Sequence, residues 1–133
     1  SLYLTADDLE RLNVERFARY EDIKRDEQRA ETFLTEDADV VVVAFGASAR
    51  VARSAVVSAR EAGIRAGLVR PITLWPFPTR ALEATVGTAK AYLTVEMNMG
   101  QMVDDVRLVL AGVIPTPAEV LAKIREINGK AGE

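Results

Sequence analysis

The 133-residue chain contains no cysteine and no histidine. Without a thiol it can form no disulfide, supply no thiolate nucleophile and ligate no iron–sulfur cluster through cysteine. Without an imidazole a Ser-His-Asp triad is excluded, and the loss of both residue types removes the common zinc sites. Acid–base chemistry would fall to Asp, Glu, Lys or Tyr. No apolar run approaches the ~20 residues of a membrane-spanning helix, and no signal-peptide pattern is present. The 17 basic and 20 acidic residues are interspersed, for a net charge of −3. With no basic stripe, a nucleic-acid partner is not expected. A cysteine-free chain fits a reducing, cytoplasmic setting. The chain opens at Ser1 rather than Met and ends in Gly129-Lys130-Ala131-Gly132-Glu133, so a larger protein around it is expected. Its length suits one core, burying ~65–70% of the unfolded surface.

Residues 1–37 differ from the remainder. They carry eleven acidic and six basic residues with few apolar ones, the pattern of a helical arm. Thr5 ahead of Asp7 and Asp8 marks a helix start, and Asn13 is placed to cap a second helical run. Phe17, Tyr20 and Ile23 follow at three-residue spacing and share a face. That stripe either lies on its own domain or reaches another domain or subunit.

From residue 38 the pattern becomes that of an α/β domain. Val40-Val41-Val42-Val43-Ala44-Phe45 is a continuous apolar, β-branched run, as expected of a strand buried on both faces. Gly46-Ala47-Ser48 breaks it. Val51, Ala52, Ala55, Val56, Ala59 and Ala62 then recur at helical spacing, and Gly63 supplies a stop. Ala66-Gly67-Leu68-Val69 completes a βαβ unit, whose crossover is expected to be right-handed. Three prolines between Pro71 and Pro78 forbid a helix there. Pro78 can start a short helix with Leu82 and Val86 inward. Ala91–Val95 is a third strand, and Met102–Leu110 a helix with Met102, Val106 and Val109 inward. Thr116, Pro117 and Glu119 open a last helix through a capping box. The predicted architecture is a three-layer α/β/α domain over residues 38–133 with a mainly parallel sheet, preceded by the helical arm.

If the three strands are parallel, Gly46, Arg70 and Glu96 lie along one edge of the sheet, where α/β folds commonly receive ligands and partners. The strand–Gly–helix turn at Gly46 and Ser48 is the kind that binds phosphate. It lacks the G-x-G-x-x-G dinucleotide pattern and the P-loop pattern. A tight turn serving helix packing is the plainer reading. Arg70 and Glu96 are expected to pair with each other, and Glu96 as a general base would have no second catalytic group beside it. Trp75 and Phe77, held between prolines, are either a lid on the core or interface anchors. Met97, Met99 and Met102 suggest a soft packing surface. The residues alone thus give an edge suited to a ligand or a subunit, with no complete catalytic set and no metal site.

Two longer stretches are more specific. Gly67-Leu68-Val69-Arg70-Pro71-Ile72-Thr73-Leu74-Trp75-Pro76-Phe77-Pro78 and Val95-Glu96-Met97-Asn98-Met99-Gly100-Gln101-Met102-Val103-Asp104-Asp105-Val106-Arg107 stand between Ala44-Phe45-Gly46-Ala47-Ser48-Ala49-Arg50 and Val113-Ile114-Pro115-Thr116-Pro117. In order and spacing they resemble the C-terminal domain of the alpha subunit of 2-oxoacid:ferredoxin oxidoreductases, a domain similar to the transketolase C-terminal domain. Leu2-Tyr3-Leu4 and the Arg19–Arg25 helix resemble the connector before it. The resemblance implies a part of a multi-subunit enzyme that oxidatively decarboxylates 2-oxoacids, such as 2-oxoglutarate, branched-chain acids or pyruvate, with coenzyme A to acyl-CoA. It implies thiamine diphosphate and Mg²⁺ held mainly by a beta subunit, iron–sulfur clusters on partner subunits, and electron delivery to ferredoxin. No cofactor is expected on this domain, which would serve assembly beside the rest of the alpha chain and be inactive alone. Arg70, Glu96, Asn98 and Gln101 match the family's motif positions without an implied catalytic role. The alternatives are another thiamine enzyme, such as a transketolase or an oxoacid dehydrogenase beta chain, and a stand-alone ligand-binding module. One departure stands out: the family carries a further strand and Gly-rich turn where Leu110-Ala111-Gly112 here runs directly into Val113. Either that strand is lost or a segment is missing from this sequence, and the narrowness of the sheet favours the second.

Overall fold

The computed structural model describes residues 5–111. The Leu2–Leu4 start, the Gly112–Val113 junction and the helix expected after Thr116 lie outside them. In chain order the elements are α1 (Ala6–Asp26), β1 (Ala30–Phe33), β2 (Val40–Ala44), α2 (Gly46–Glu61), β3 (Ala66–Pro71), α3 (Thr79–Glu83), β4 (Ala91–Val95) and α4 (Met102–Ala111).

The four strands form one sheet in the order β1-β3-β2-β4. β2 is parallel to both β3 and β4, with Val43 opposite Val69 on one side and Thr94 on the other. β1 adds an antiparallel edge, Ala30 opposite Pro71 and Phe33 opposite Leu68. The continuous apolar run therefore becomes one of the two inner strands, and alternation along it sends side chains to two cores. Val41 and Val43 pack with Val69, Leu82, Met102, Val106 and Val109 beneath α3 and α4. Val42 and Ala44 pack with Ala66, Leu68, Ala49, Ala52 and Val56 beneath α2. Small residues on the inner face of α2 let it lie close to the sheet. The three-layer architecture is as predicted.

Several details differ from the sequence reading. Residues 30–33, assigned to the helical arm, are a strand of the sheet. Asn13 caps nothing: α1 continues through it for 21 residues, carried by ion pairs one turn apart, Arg11 with Asp8 and Glu15, Lys24 with Glu21, and Arg25 with Asp22. Such exposed pairs are each worth only a few tenths of a kcal/mol, and their number sustains the helix. Within α2, Ser48, Ala49, Ala52 and Val56 face inward, while Val51 and Ala55 are exposed. Val86 is half-buried, and the short helix after Pro78 buries Leu82 instead. Met102 belongs to the core and not to a methionine surface.

The amino end of the sheet is tied by Asp39. Its carboxylate accepts two hydrogen bonds from Arg65, each 2.9 Å, and lies 3.0 Å from Lys90 Nζ. Its amide donates to Arg65 O at 2.7 Å, and its carbonyl accepts from Lys90 N at 2.8 Å. The starts of β2, β3 and β4 are thereby held in register. Hydrogen bonds from Arg65 and Lys90 hold the Asp39 carboxyl down at about 2. Arg60, near the end of α2, donates to Asp37, Leu34 O and Ala66 O and fastens that helix to the β1–β2 loop.

Gly67 lies where that loop crosses β3. A Cβ there would stand 2.5 Å from Leu34 O and 3.0 Å from Ala38 Cβ. Gly67→Ala is therefore expected to destabilise by about 1–3 kcal/mol through overpacking. Leu82→Ala, which empties a fully buried site, is expected to cost about 2–5 kcal/mol. Urea unfolding of the two variants measures both.

Candidate functional site

β2, β3 and β4 run in parallel, so Gly46, Arg70 and Glu96 do lie along the carboxyl edge of the sheet. After β2 the chain turns into α2 on one face. After β4 it turns into α4 on the other. Adjacent strands whose connections leave toward opposite faces open a crevice between their carboxyl ends. The crevice here has a volume of about 210 Å³ and is lined by Phe45, Gly46, Ala47, Ser48, Met97 and Asn98. It brings Gly46, Ser48, Met97 and Asn98 together from two segments about fifty residues apart.

Local chemistry shapes one wall. Gly46 takes a positive φ of 58°, a conformation glycine adopts without steric cost. Phe45, in the capping position before it, offers no side-chain oxygen. The first amide of α2 with a helical partner is that of Ala49, bonded to Phe45 O at 3.3 Å. The amides of Gly46, Ala47 and Ser48 precede it and have no acceptor among the described residues.

The other wall is built around Glu96, and here the expected Arg70–Glu96 pair does not form. Glu96 accepts from the amides of Met102 (2.8 Å), Val103 (3.0 Å) and Gln101 (3.3 Å), and from Asn98 Nδ2 at 3.2 Å. It is an N-terminal anchor for α4, placed where the helix dipole favours a carboxylate. Asn98 Oδ1 in turn accepts from Gly100 N at 2.8 Å, closing the loop. Desolvation pushes the Glu96 carboxyl up, but the amides of Met102 and Val103, with Asn98 and Gln101, outweigh it and leave it below the usual range. With its lone pairs so engaged, Glu96 is poorly placed for general-base work. Gln101 contributes its amide, and its side chain is exposed.

Arg70 pairs with Glu31 of β1, Nη1 to Oε2 at 2.9 Å, and Arg53 of α2 takes the other oxygen at 2.9 Å. This partner was invisible while residues 30–33 read as helix. Arg53 also lies 4.0 Å above the Phe33 ring. Arg50 completes the lining of a small cavity of about 80 Å³ formed with Glu31, Ala49, Arg53, Leu68 and Arg70. Two guanidinium groups thus hold one carboxylate, and Arg50 lines the same cavity. Arg50, Arg53 and Glu31 are site residues that sequence reasoning missed. Arg50 and Arg53 are one turn apart on a helix that starts with free amides, which was the available signal.

The aromatic and methionine residues separate. Phe77 is half-buried and packs on the core beneath α3 and α4. Trp75 is 57% exposed, its ring 5.7 Å from that of Tyr20, which is 6.3 Å from Phe17. Met97 and Met99 are exposed at 84% and 103%. The donor set does not fit an iron–sulfur cluster, since the chain has no cysteine or histidine. Among the described residues no three acidic groups gather to hold a metal ion, and no helix is long and apolar enough to cross a membrane.

Glu96→Ala is expected to destabilise by about 1 kcal/mol, the usual worth of a helix N-terminal acceptor. Because the folded-state pKa lies below the unfolded one, the contribution of Glu96 is present above the unfolded pKa and is lost as pH falls through the folded value. Denaturation at neutral and acid pH should show the gap between Glu96→Ala and the parent shrinking on acidification.

Comparison with known proteins agrees with this geometry. The model of the pyruvate:ferredoxin oxidoreductase core domain II family matches residues 38–131. The chain is 39% identical over 144 aligned positions to the ketoisovalerate oxidoreductase subunit VorB of Methanothermobacter thermautotrophicus, covering all of this chain and 41% of that protein. The aligned positions exceed the 133 residues here by 11, so that relative carries additional residues within the matched stretch. The 2-oxoglutarate synthase subunit KorA of the same organism is 44% identical over 91 residues, covering 68% of this chain and 24% of that protein. In fold, the chain is similar to a 2-oxoglutarate:ferredoxin oxidoreductase from Magnetococcus marinus solved with 2-oxoglutarate, coenzyme A and succinyl-CoA bound. There the TM-score is 0.68 at 23% identity, over 80% of this chain and 19% of that one. The chain spans about two fifths of the length of the first curated relatives it matches. With most of its residues matched by that model, the chain belongs to the pyruvate:ferredoxin oxidoreductase core domain II family.

Proposed function

We propose that this chain is a domain of the alpha-type subunit of a 2-oxoacid:ferredoxin oxidoreductase, acting in assembly rather than in bond making. The observation that carries the reading is the alignment of the whole chain, arm included, with ketoisovalerate oxidoreductase subunits. The holoenzyme would oxidatively decarboxylate a 2-oxoacid with coenzyme A in the cytoplasm and pass the electrons to ferredoxin. Whole-chain similarity to the ketoisovalerate enzymes, against 68% coverage for the 2-oxoglutarate enzymes, supports a branched-chain 2-oxoacid as the first substrate to try. Thiamine diphosphate with Mg²⁺ and iron–sulfur clusters would be carried by the beta and cluster-bearing partners.

The chemistry of the carboxyl edge supports an assembly role. Glu96, the one carboxylate in the motif loop, is committed to amide donors, and Arg70 to Glu31. Among the described residues of this edge no nucleophile and base stand together. What the described residues present instead is exposed apolar surface, Met97, Met99 and Trp75, with Leu93 on β4, the last strand of the described sheet. Wet side chains of this kind are the anchors that protein interfaces bury. The helix α1 is the connector in this reading, and the sheet with its covering helices, β1 included, the docking domain.

Purified with its natural partner subunits, this chain is expected in a complex that reduces ferredoxin or a viologen dye only when both 2-oxoacid and coenzyme A are supplied. The 133-residue chain alone should show no turnover. Met97→Glu with Met99→Glu should lower recovery of the partner subunits about tenfold, a loss of about 1.4 kcal/mol, while leaving the unfolding midpoint of the chain unchanged. Oxoacid-dependent dye reduction by the isolated chain, or a partner complex lacking that activity, would overturn the reading.

A further inference from the structure

We propose that the crevice between the carboxyl ends of β2 and β4 binds a phosphate group, held by the free amides of Gly46, Ala47 and Ser48 together with the Ser48 hydroxyl. This reading concerns the chain's own binding chemistry and stands apart from the activity of any holoenzyme.

The first support is the state of the α2 terminus. Three successive amides there have no acceptor among the described residues. No acidic residue occupies the first turn to neutralise the helix dipole. The terminus of α4, which begins at Met102 a few residues after Met97 and Asn98, has been given Glu96 for that purpose. An unneutralised sixteen-residue helix attracts an anion to its amino end.

The second support is Ser48. It is more than nine-tenths buried, lines the crevice, and its hydroxyl has no hydrogen-bond partner among the described residues. No fully enclosed side-chain oxygen or nitrogen there lacks a partner, so the Ser48 oxygen keeps an opening, and the crevice is the opening at hand. A hydroxyl open to a crevice while the rest of its residue is buried is free to donate there. One that shares a cavity with three free amides provides a fourth donor to the same point.

The third support is charge. Ala49 and Arg50, the residues after Ser48, line the neighbouring cavity with Arg53 and Arg70. Arg53 and Arg70 share the single carboxylate of Glu31, and with Arg50 lining the same cavity the patch beside the crevice is net positive. Arg50 has no ion-pair partner among the described residues, and its charge is available to an incoming anion. A volume of about 210 Å³ is too small for a dinucleotide and suits a phosphate monoester or the terminal phosphate of a larger molecule. Four donors from one rim match a tetrahedral oxyanion better than a planar carboxylate.

The test is titration of the ¹⁵N-labelled 133-residue chain with inorganic phosphate at constant ionic strength, followed by amide chemical shifts. Saturable shifts are expected at Gly46, Ala47 and Ser48. Ser48→Ala should weaken binding about three- to tenfold, the loss of one hydrogen bond to an anion. Arg50→Ala should weaken it about two- to fivefold, an effect that rising salt removes. Ser48→Asp, which supplies an internal anion, should abolish binding, and the small Ser48→Ala change keeps the test open if Ser48→Asp does not fold. A linear, unsaturable response, affinity unchanged in Ser48→Ala, or acetate bound as tightly as phosphate would each overturn the proposal.

Discussion

Everything in this domain is arranged around the need to cover both faces of one strand. β2 is almost wholly apolar, and its alternate residues enter two separate cores. At ~25 cal/mol per Å² of apolar surface removed from water, leaving either face wet would cost far more than any surface ion pair here returns. Cover must therefore come from helices on both sides. That requirement sends α2 to one face and α4 to the other. The crevice at the carboxyl edge is the geometrical remainder of that choice.

The same edge shows how charge is assigned once the backbone is in place. Two helices begin there within a short distance along the sheet. One receives a carboxylate from the preceding loop, with two amides at 2.8 and 3.0 Å. The other begins with a glycine in the left-handed region and no capping oxygen. At the opposite end of the sheet Asp39 does structural work with its backbone and its side chain. The two ends of the sheet thus differ in character. Among the described residues, the amino end is closed by ion pairs, and the carboxyl end is partly apolar and carries donors without acceptors.

Much of this was legible from the residues because the strongest signals were local. Val40–Ala44, Ala66–Val69 and Ala91–Val95 read as strands from composition and punctuation alone. The parallel arrangement followed from the helices between them, and with it the alignment of Gly46, Arg70 and Glu96 on one edge. β1 was not legible. Its four residues include Glu31 and Thr32, it follows a strongly charged helix, and an antiparallel edge strand draws its stability from pairing with β3 rather than from a pattern of its own. Missing it hid the partner of Arg70, so the pairing with Glu96 was inferred from two charges at neighbouring strand ends. The Glu96 anchor depends on how the loop to Gln101 folds back on itself, a matter of backbone direction that spacing does not encode.

The amino-acid sequence by itself determined the class of fold, an inner strand, the helices that cover it and the family, because apolar periodicity and the motifs around Arg70 and Glu96 are properties of neighbouring residues. It also determined that cysteine and histidine chemistry would be absent. Only the tertiary structure decided which groups meet. It gave Arg70 to Glu31 and Glu96 to the amides of α4, sent Phe77 inward while Trp75 stayed at the surface, and brought Ser48 beside Met97 and Asn98. These are contacts between residues tens of positions apart. Their free energy depends on distance and burial, which a linear pattern cannot contain.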